Sequence, residues 1–155
     1  MTEKEWLTWA DARPMLKFLG KQIGVRKLRL FGVECCKRLT RILDPRGKSA
    51  LETAEHYAEG LCSADDLETA RTAAMAAFNE FDDSHPWGPG NETGWESAAD
   101  AVESLCRKER LNDWMAGIVM ESAAVWGWLH PPGMRRAMRR VALAEQARLL
   151  RDIFG

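Results

Sequence analysis

Residues 25–43 carry the pattern that most constrains the fold of this chain. Wound as a helix at about 100° per residue, the stretch places nine apolar or small residues on one face: Val25, Leu28, Phe31, Gly32, Cys35, Cys36, Leu39, Ile42 and Leu43. The opposite face is basic and holds Arg26, Lys27, Lys37, Arg38 and Arg41. Such a pattern predicts a helix that packs into a core and turns positive charge outward. Leu30 lies among the basic residues, so its burial would indicate that this face is covered as well.

Helical periodicity continues through the rest of the chain, and no stretch alternates with a period of two over a useful length. Two short helices are predicted first, over 2–9 with Thr2 as N-cap and over 11–20 with Asp11 near the start. The Asp44-Pro45 step should end the helix of residues 25–43. Longer helices are predicted over 49–61, 63–81, 95–107, 111–129 and 134–154. The fold class that follows is all-α, a single-domain bundle or orthogonal array of about seven helices over residues 1–155, with one long loop at 82–94.

The composition is that of an ordinary globular protein. The chain has 155 residues, of which 46% are hydrophobic and 29% charged, so it can bury a core without a disulfide or a metal. No window approaches the ~20 apolar residues that span a bilayer, and the charged start MTEKEWL has no apolar signal core. We therefore expect a cytoplasmic protein without membrane contact, whose four cysteines are free thiols.

Charge is arranged in blocks, although the formal net charge is only −1. Residues 24–48 carry a net +6, residues 49–105 a net −12 and residues 133–155 a net +4. These blocks either neutralise each other inside the molecule or leave a polarised surface that meets a charged partner. Internal pairing is the simpler interpretation.

The last predicted helix has apolar residues on two different faces. The stripe of its first half consists of Met134, Ala137, Met138 and Val141. The stripe of its second half lies on the side that was basic in the first half, and consists of Leu143, Ala147, Leu150 and Phe154. One straight helix cannot bury both stripes against one neighbour. The helix should therefore bend near Ala144, or its second half should contact another subunit or a following segment.

The tryptophans offer a candidate partner surface, because partly exposed Trp is favoured at interfaces. Of the seven in the chain, Trp114 and Trp126 fit the apolar stripe of the helix over 111–129. The others lie at element ends, in the loop or on stripe edges. Together with the second stripe of the last helix, they define a candidate partner surface of Trp87, Trp128, Leu143, Leu150 and Phe154. The alternative is that these side chains seal the ends of the core.

Clustered basic residues suggest phosphate contacts in two of the predicted helices. The candidate nucleic-acid contacts within 25–43 are Arg26, Lys37 and Arg41, and those within 134–151 are Arg135, Arg136, Arg139 and Arg140. Arg29 belongs to the same basic set. A sequence pI of about 6.3 and the acidic middle block are not typical of a nucleic-acid binder. Pairing with the acidic helices is therefore the competing interpretation.

No catalytic, cofactor-binding or metal-binding residues are predicted. Cys35 and Cys36 are adjacent on a helix and point about 100° apart, so they cannot converge on one metal, and each is expected to act as a small core hydrophobe. A zinc site made from Cys62 or Cys106 with His56 lacks any recognised ligand spacing. His85 lies in the loop near a tryptophan, which makes it the best-placed histidine for a catalytic cleft.

Four motifs resemble one protein family. They are the opening MTEKEWL, the central RKLRLFGVECCKRL, the AEHYAEGL segment and the closing AEQARLLRDIFG. Together they are similar to an uncharacterised family of helical proteins from planctomycete-type bacteria. The resemblance implies a cytoplasmic bacterial protein and supplies no catalytic residue. Family members continue with an Asn-Pro-Phe-Arg-Pro-like tail. We therefore expect either that this chain is truncated after Gly155 or that it is one part of a larger protein.

The leading functional hypothesis is a non-enzymatic helical protein–protein interaction or scaffold module, acting as a homo-oligomer or within a larger assembly. It rests on the two-sided last helix, the end-placed tryptophans and the charge blocks. The alternative is a nucleic-acid-associated accessory protein that uses the basic helices 25–43 and 134–151. A third hypothesis is an enzyme with a cleft near His85.

Overall fold

The computed structural model describes residues 2–20, 23–84, 94–109 and 111–154. Eight α-helices lie within these ranges: α1 (Glu3–Thr8), α2 (Ala12–Leu19), α3 (Val25–Lys37), α4 (Pro45–Glu59), α5 (Ala64–Ser84), α6 (Trp95–Leu105), α7 (Leu111–Trp128) and α8 (Arg135–Phe154). Two 3-10 turns cover Arg38–Arg41 and Pro132–Met134. The described ranges contain no β-strand, which confirms the predicted all-α fold, with eight helices where we expected about seven.

Side-chain caps begin the early helices as the sequence indicates. The Thr2 hydroxyl accepts a hydrogen bond from the Glu5 amide, and the Glu5 carboxylate accepts one from the Thr2 amide at 2.7 Å. Asp11 caps α2 through the Arg13 amide at 3.0 Å. Each cap satisfies backbone donors that the first turn of a helix leaves free.

The junction between α3 and α4 differs from the prediction. The α-helix that starts at Val25 ends at Lys37 and tightens into the 3-10 turn. The next helix begins at Pro45 rather than Ser49, with Asp44 accepting a hydrogen bond from the Gly47 amide at 2.7 Å. Proline lacks an N–H and suits the first helical position. Asp44-Pro45 therefore starts a helix as well as ending one.

The predicted loop at 82–94 is shorter than expected at its start, because α5 continues through Ser84. Residues 85–93 lie outside the described residues. The predictions for His85 and Trp87 fall there.

Helix α3 occupies the centre of the molecule and contacts α4, α6, α7 and α8. Leu28, Phe31 and Cys36 are buried in the common core, so the predicted packing face is confirmed from Leu28 onward. Val25, at the first position of α3, is 48% exposed and departs from the prediction. Gly32 allows a close approach, because an added Cβ would overlap the Leu105 side chain and lie 3.0 Å from Met115 Cε. Leu30 is half-buried, so the opposite face of α3 is partly covered.

Arg29 contradicts its grouping with the basic residues that suggest phosphate contacts. Its side chain is buried and donates hydrogen bonds to the carbonyl of Leu105 and, at 3.0 Å, to that of Arg107. Its guanidinium lies 5.0 Å from the centre of the Tyr57 ring. These two carbonyls belong to the end of α6 and the residues after it, where helix carbonyls lack intrahelical partners. Arg29 therefore joins α3 to the C-terminal end of α6.

The second half of α8 packs against its own chain. Ala147 and Leu150 are buried, and α8 contacts α2, α3 and α7. The expectation that this half contacts another subunit is therefore not needed to explain its apolar stripe. The stripe of the first half is the exposed one, since 47% of Met134 and 42% of Val141 remain accessible.

Candidate interaction site

Several residues of the first basic block, 24–48, form ion pairs or hydrogen bonds with other parts of the same chain. Lys37 Nζ lies 2.8 Å from Glu55, and Arg46 lies 2.7 Å from Glu80. Arg26 Nε donates a hydrogen bond at 2.9 Å to a main-chain carbonyl of α4. The basic and acidic blocks therefore pair across α3, α4 and α5, as the simpler interpretation of the charge pattern predicts.

The second basic block leaves an open cluster where α7 ends and α8 begins. A cavity of about 230 Å³ lies between these helices, and we call it the arginine pocket. Its lining residues are Ala124, Gly127, Trp128, Arg135, Arg136 and Arg139. Arg140 is exposed one residue after this set. The structure thus brings three of the predicted nucleic-acid contacts together with one tryptophan of the predicted partner surface.

Gly127 determines how closely the two helices meet. A Cβ at this position would lie 2.9 Å from the Arg135 carbonyl oxygen and 3.6 Å from Arg139 Cβ. Only glycine allows the backbone of α8 to come this close. Gly127 was not predicted as a functional residue, although its position between Trp126 and Trp128 marks it in the sequence.

Arg135 is held in place but lacks a full set of partners. Its guanidinium carbon lies 3.8 Å from the centre of the Trp128 ring, a cation–π contact that restrains the side chain. Its Nε is buried and has no hydrogen-bond partner in the described structure, which is uncommon for a buried donor. Because this atom is closed to solvent, the accessible guanidinium groups of the pocket are those of the exposed Arg136 and Arg139.

The pocket is electrostatically positive for two reasons. No ion pair within the described ranges involves Arg135, Arg136, Arg139 or Arg140. The pocket also lies at the N-terminal end of a 20-residue helix, whose dipole favours negative charge. The arrangement is therefore suited to binding an anionic group.

The remaining residues of the predicted partner surface lie elsewhere. Leu150 is fully buried, so no partner can reach it in this structure. Leu143 and Phe154 are half-buried against the core, and Lys27 covers the Phe154 ring at 5.6 Å. Within the described residues, Trp128 is thus the one member of that surface that lines the pocket.

The remaining predicted nucleic-acid contact, Arg41, is exposed at the end of the first 3-10 turn. It lies on a different element from the arginine pocket. The structure therefore does not arrange the seven predicted contacts as one set.

Two tryptophans depart from the predicted core stripe of α7. Trp114 is 41% exposed and stacks under the Arg107 guanidinium at 4.5 Å. Trp126 is half-buried, with Arg38 at 5.7 Å from its ring centre. Both rings sit at the edge of the core, where arginine side chains cover them.

The cysteines have the environment of core residues. Cys35, Cys36 and Cys106 are buried and free, and burial raises the pKa of Cys106 to about 12. His56 is exposed, whereas Cys106 Sγ is 3.4 Å from the Ala50 carbonyl in the core. The described part of the chain contains no group of three or more His, Cys, Asp or Glu side chains that could hold a metal ion.

A larger groove of about 800 Å³ lies between α2, α3 and α7. Leu16, Ile23 and Met115 are among its lining residues, with Lys17 on one wall and Asp113 on the other. Its walls therefore carry charges of both signs and favour no one class of ligand.

Within the described ranges, no helix combines the length and the apolar character needed to cross a membrane. Comparisons with protein-family models, with curated proteins and with solved structures each give no match. The resemblance to a planctomycete-type family therefore stays a prediction.

Proposed function

We propose that this protein is a non-enzymatic helical interaction module that binds an acidic segment of a partner protein at the arginine pocket. The observation that supports this most is the contrast between its basic blocks. Arg38 and Arg46 pair with carboxylates of other elements. The four arginines at the start of α8 make no ion pair with any described residue.

Two features favour a protein partner over nucleic acid. Nucleic-acid binding uses several free cations placed along a phosphate backbone, but Arg26 and Lys37 already contact other residues of this chain. Single-stranded nucleic acid binds largely by stacking bases on aromatic rings, and the Arg135 guanidinium covers one face of Trp128. The nucleic-acid hypothesis would have to rely on the arginine pocket and Arg41.

A second copy of this chain is one candidate partner. The Asp65 side chain, in the first turn of the acidic helix α5, is 99% exposed. Helix α5 therefore offers a carboxylate that the arginine pocket of another molecule could bind.

The direct test is a titration with a labelled decaglutamate peptide, followed by fluorescence anisotropy at low salt. We expect saturable binding that weakens at least about tenfold in the double variant Arg136→Gln/Arg139→Gln, because charge-assisted hydrogen bonds to carboxylates are lost. The matched control is Arg148→Gln on the same helix, since Arg148 is exposed and does not line the pocket.

A single-stranded oligonucleotide of equal length is titrated in parallel. The proposal predicts that the peptide binds more tightly than the oligonucleotide. Tighter binding of the oligonucleotide, with the same dependence on Arg136 and Arg139, would instead support the nucleic-acid hypothesis. Equal weakening by Arg148→Gln would show that the peptide binds through general charge and not through the pocket.

A further inference from the structure

The geometry points to a phosphorylated serine or threonine of the partner as the group that occupies the arginine pocket. This inference rests on the proposed function, because it specifies which anionic side chain the same pocket receives. It is carried by the number of arginines in the pocket, by the accessibility of Arg136 and Arg139, and by the size of the cavity.

The first argument is the match of charge. Arg135, Arg136 and Arg139 bring three positive charges to one cavity. None of the residues that line it is acidic. A carboxylate would neutralise one of these charges, whereas a phosphomonoester carries about −1.5 to −2 at pH 7 and has three acceptor oxygens. A dianion therefore balances the cluster better than glutamate or aspartate does.

The second argument is hydrogen bonding. Arg136 and Arg139 are exposed, and the one hydrogen bond that Arg139 makes within the described residues is to the Met120 sulfur at 4.0 Å. Guanidinium groups present paired donors that match phosphate oxygens. The contact of Arg135 with the Trp128 ring restrains that side chain before any ligand arrives, which lowers the entropic cost of binding.

The third argument is size. The cavity of about 230 Å³ is smaller than the 300–1,000 Å³ that is usual for ligand cavities. It suits one tetrahedral group on a short side chain. The exposed Met134 and Ala137 lie beside these arginines in the chain and offer apolar contacts for the residues that flank a phosphorylated position. These flanking apolar residues favour a phosphate borne by a peptide chain.

The inference is tested with ¹⁵N-labelled full-length protein by NMR, using the peptide Ac-Gly-Gly-pSer-Gly-Gly-NH2 as the probe. The comparison probes have glutamate or serine in place of phosphoserine, and inorganic phosphate is titrated separately. We expect the phosphopeptide to bind at least about tenfold more tightly than the glutamate peptide, with shifts at Trp128 and at the start of α8. The variant Arg136→Gln/Arg139→Gln should weaken the phosphopeptide at least about tenfold, and Arg148→Gln should not.

The pH dependence provides an independent readout. The second pKa of a phosphomonoester is about 6, so the phosphopeptide should lose several-fold in affinity between pH 7.5 and pH 5. The glutamate peptide should change little over this range, because its carboxyl pKa is about 4.3.

Three outcomes would overturn the inference. Equal affinity for the phosphoserine and glutamate peptides would remove the preference for phosphate and leave the proposed acidic-segment function standing. Inorganic phosphate binding as tightly as the phosphopeptide would show that the peptide chain contributes nothing. If neither peptide binds and decaglutamate also fails to bind, the proposed function fails together with the inference.

Discussion

Arg29 shows how a charged residue on the apolar side of a helical pattern can become part of the core. Its charge suggested a phosphate contact, but at about 100° per residue it lies beside Cys36, and the structure buries it against the end of α6. Periodicity gives only the direction in which a side chain leaves a helix. It does not show which neighbour lies there or which carbonyls need a donor. The pattern therefore indicated that Arg29 points toward the core, but not which two carbonyls it contacts.

Replacing Arg29 with alanine should destabilise the protein strongly. The carbonyls of Leu105 and Arg107 would lose their charged donor, and the contact with Tyr57 would be lost as well. We expect the free energy of unfolding, measured in urea, to fall by about 3 kcal/mol. Arg148→Ala should change it by less than about 0.5 kcal/mol. A small effect of Arg29→Ala would contradict the structural role given to these hydrogen bonds.

The buried thiols should make stability fall at alkaline pH. Burial raises the pKa of Cys106 to about 12, whereas an unfolded thiol titrates near pH 8.5. Between these two values the Cys106 thiol stays protonated in the native state, whereas it ionises in the unfolded state. The stabilisation is therefore full below about pH 8.5 and is lost as pH rises toward 12, by up to about 1.4 kcal/mol per pH unit for this thiol.

Urea unfolding at pH 8, 9 and 10 measures this slope. Burial also raises the pKa of Cys36, so more than one thiol contributes. Cys106→Ala should therefore reduce the slope without abolishing it. An unchanged slope in Cys106→Ala would show that Cys106 is not protected from ionisation in the native state.

At the scale of the elements, the sequence predicted where most helices lie but not how each is used. The Thr2 cap was predictable because its partner Glu5 is local in sequence. The position of Trp114 at the edge of the core was not predictable, because its ring contacts Arg107, which lies outside α7. The two stripes of α8 were visible in sequence. Which stripe would be buried depended on the position of α8 relative to α2, α3 and α7.

Two glycines inside helices provide a matched pair of tests for this packing. Gly32 lies where α3 approaches Leu105 and Met115, whereas an added Cβ at Gly117 of α7 would meet nothing within 4 Å. Gly32→Ala should lower the free energy of unfolding by about 1–3 kcal/mol through overpacking. Gly117→Ala should raise it by about 0.5–1 kcal/mol, because alanine favours a helix interior. Similar effects at the two positions, measured by urea denaturation, would contradict the close contact at Gly32.

At the scale of the whole molecule, the charges of the described residues are not evenly matched. Lys37 pairs with Glu55, and Arg46 pairs with Glu80, so the first basic block is matched by the acidic middle of the chain. The arginine pocket is left as a positive corner of a nearly neutral protein. The sequence shows the three charge blocks. It does not show which block lacks ion-pair partners among the described residues, because this depends on which helices are neighbours.

This imbalance predicts that added salt will weaken binding at the pocket much more than it changes the stability of the protein. The internal ion pairs are mostly exposed, and exposed pairs contribute little to stability, so raising NaCl from 0.05 to 0.5 M should move the melting temperature by no more than about 4 °C. Decaglutamate binding at the pocket should weaken at least about tenfold over the same range, because salt screens accessible charges. Arg148→Gln serves as the matched control and should show the same two responses as the unaltered chain. Loss of stability in parallel with loss of binding would mean that the internal pairs hold the helices together. Binding that is insensitive to salt would remove the electrostatic basis of the pocket.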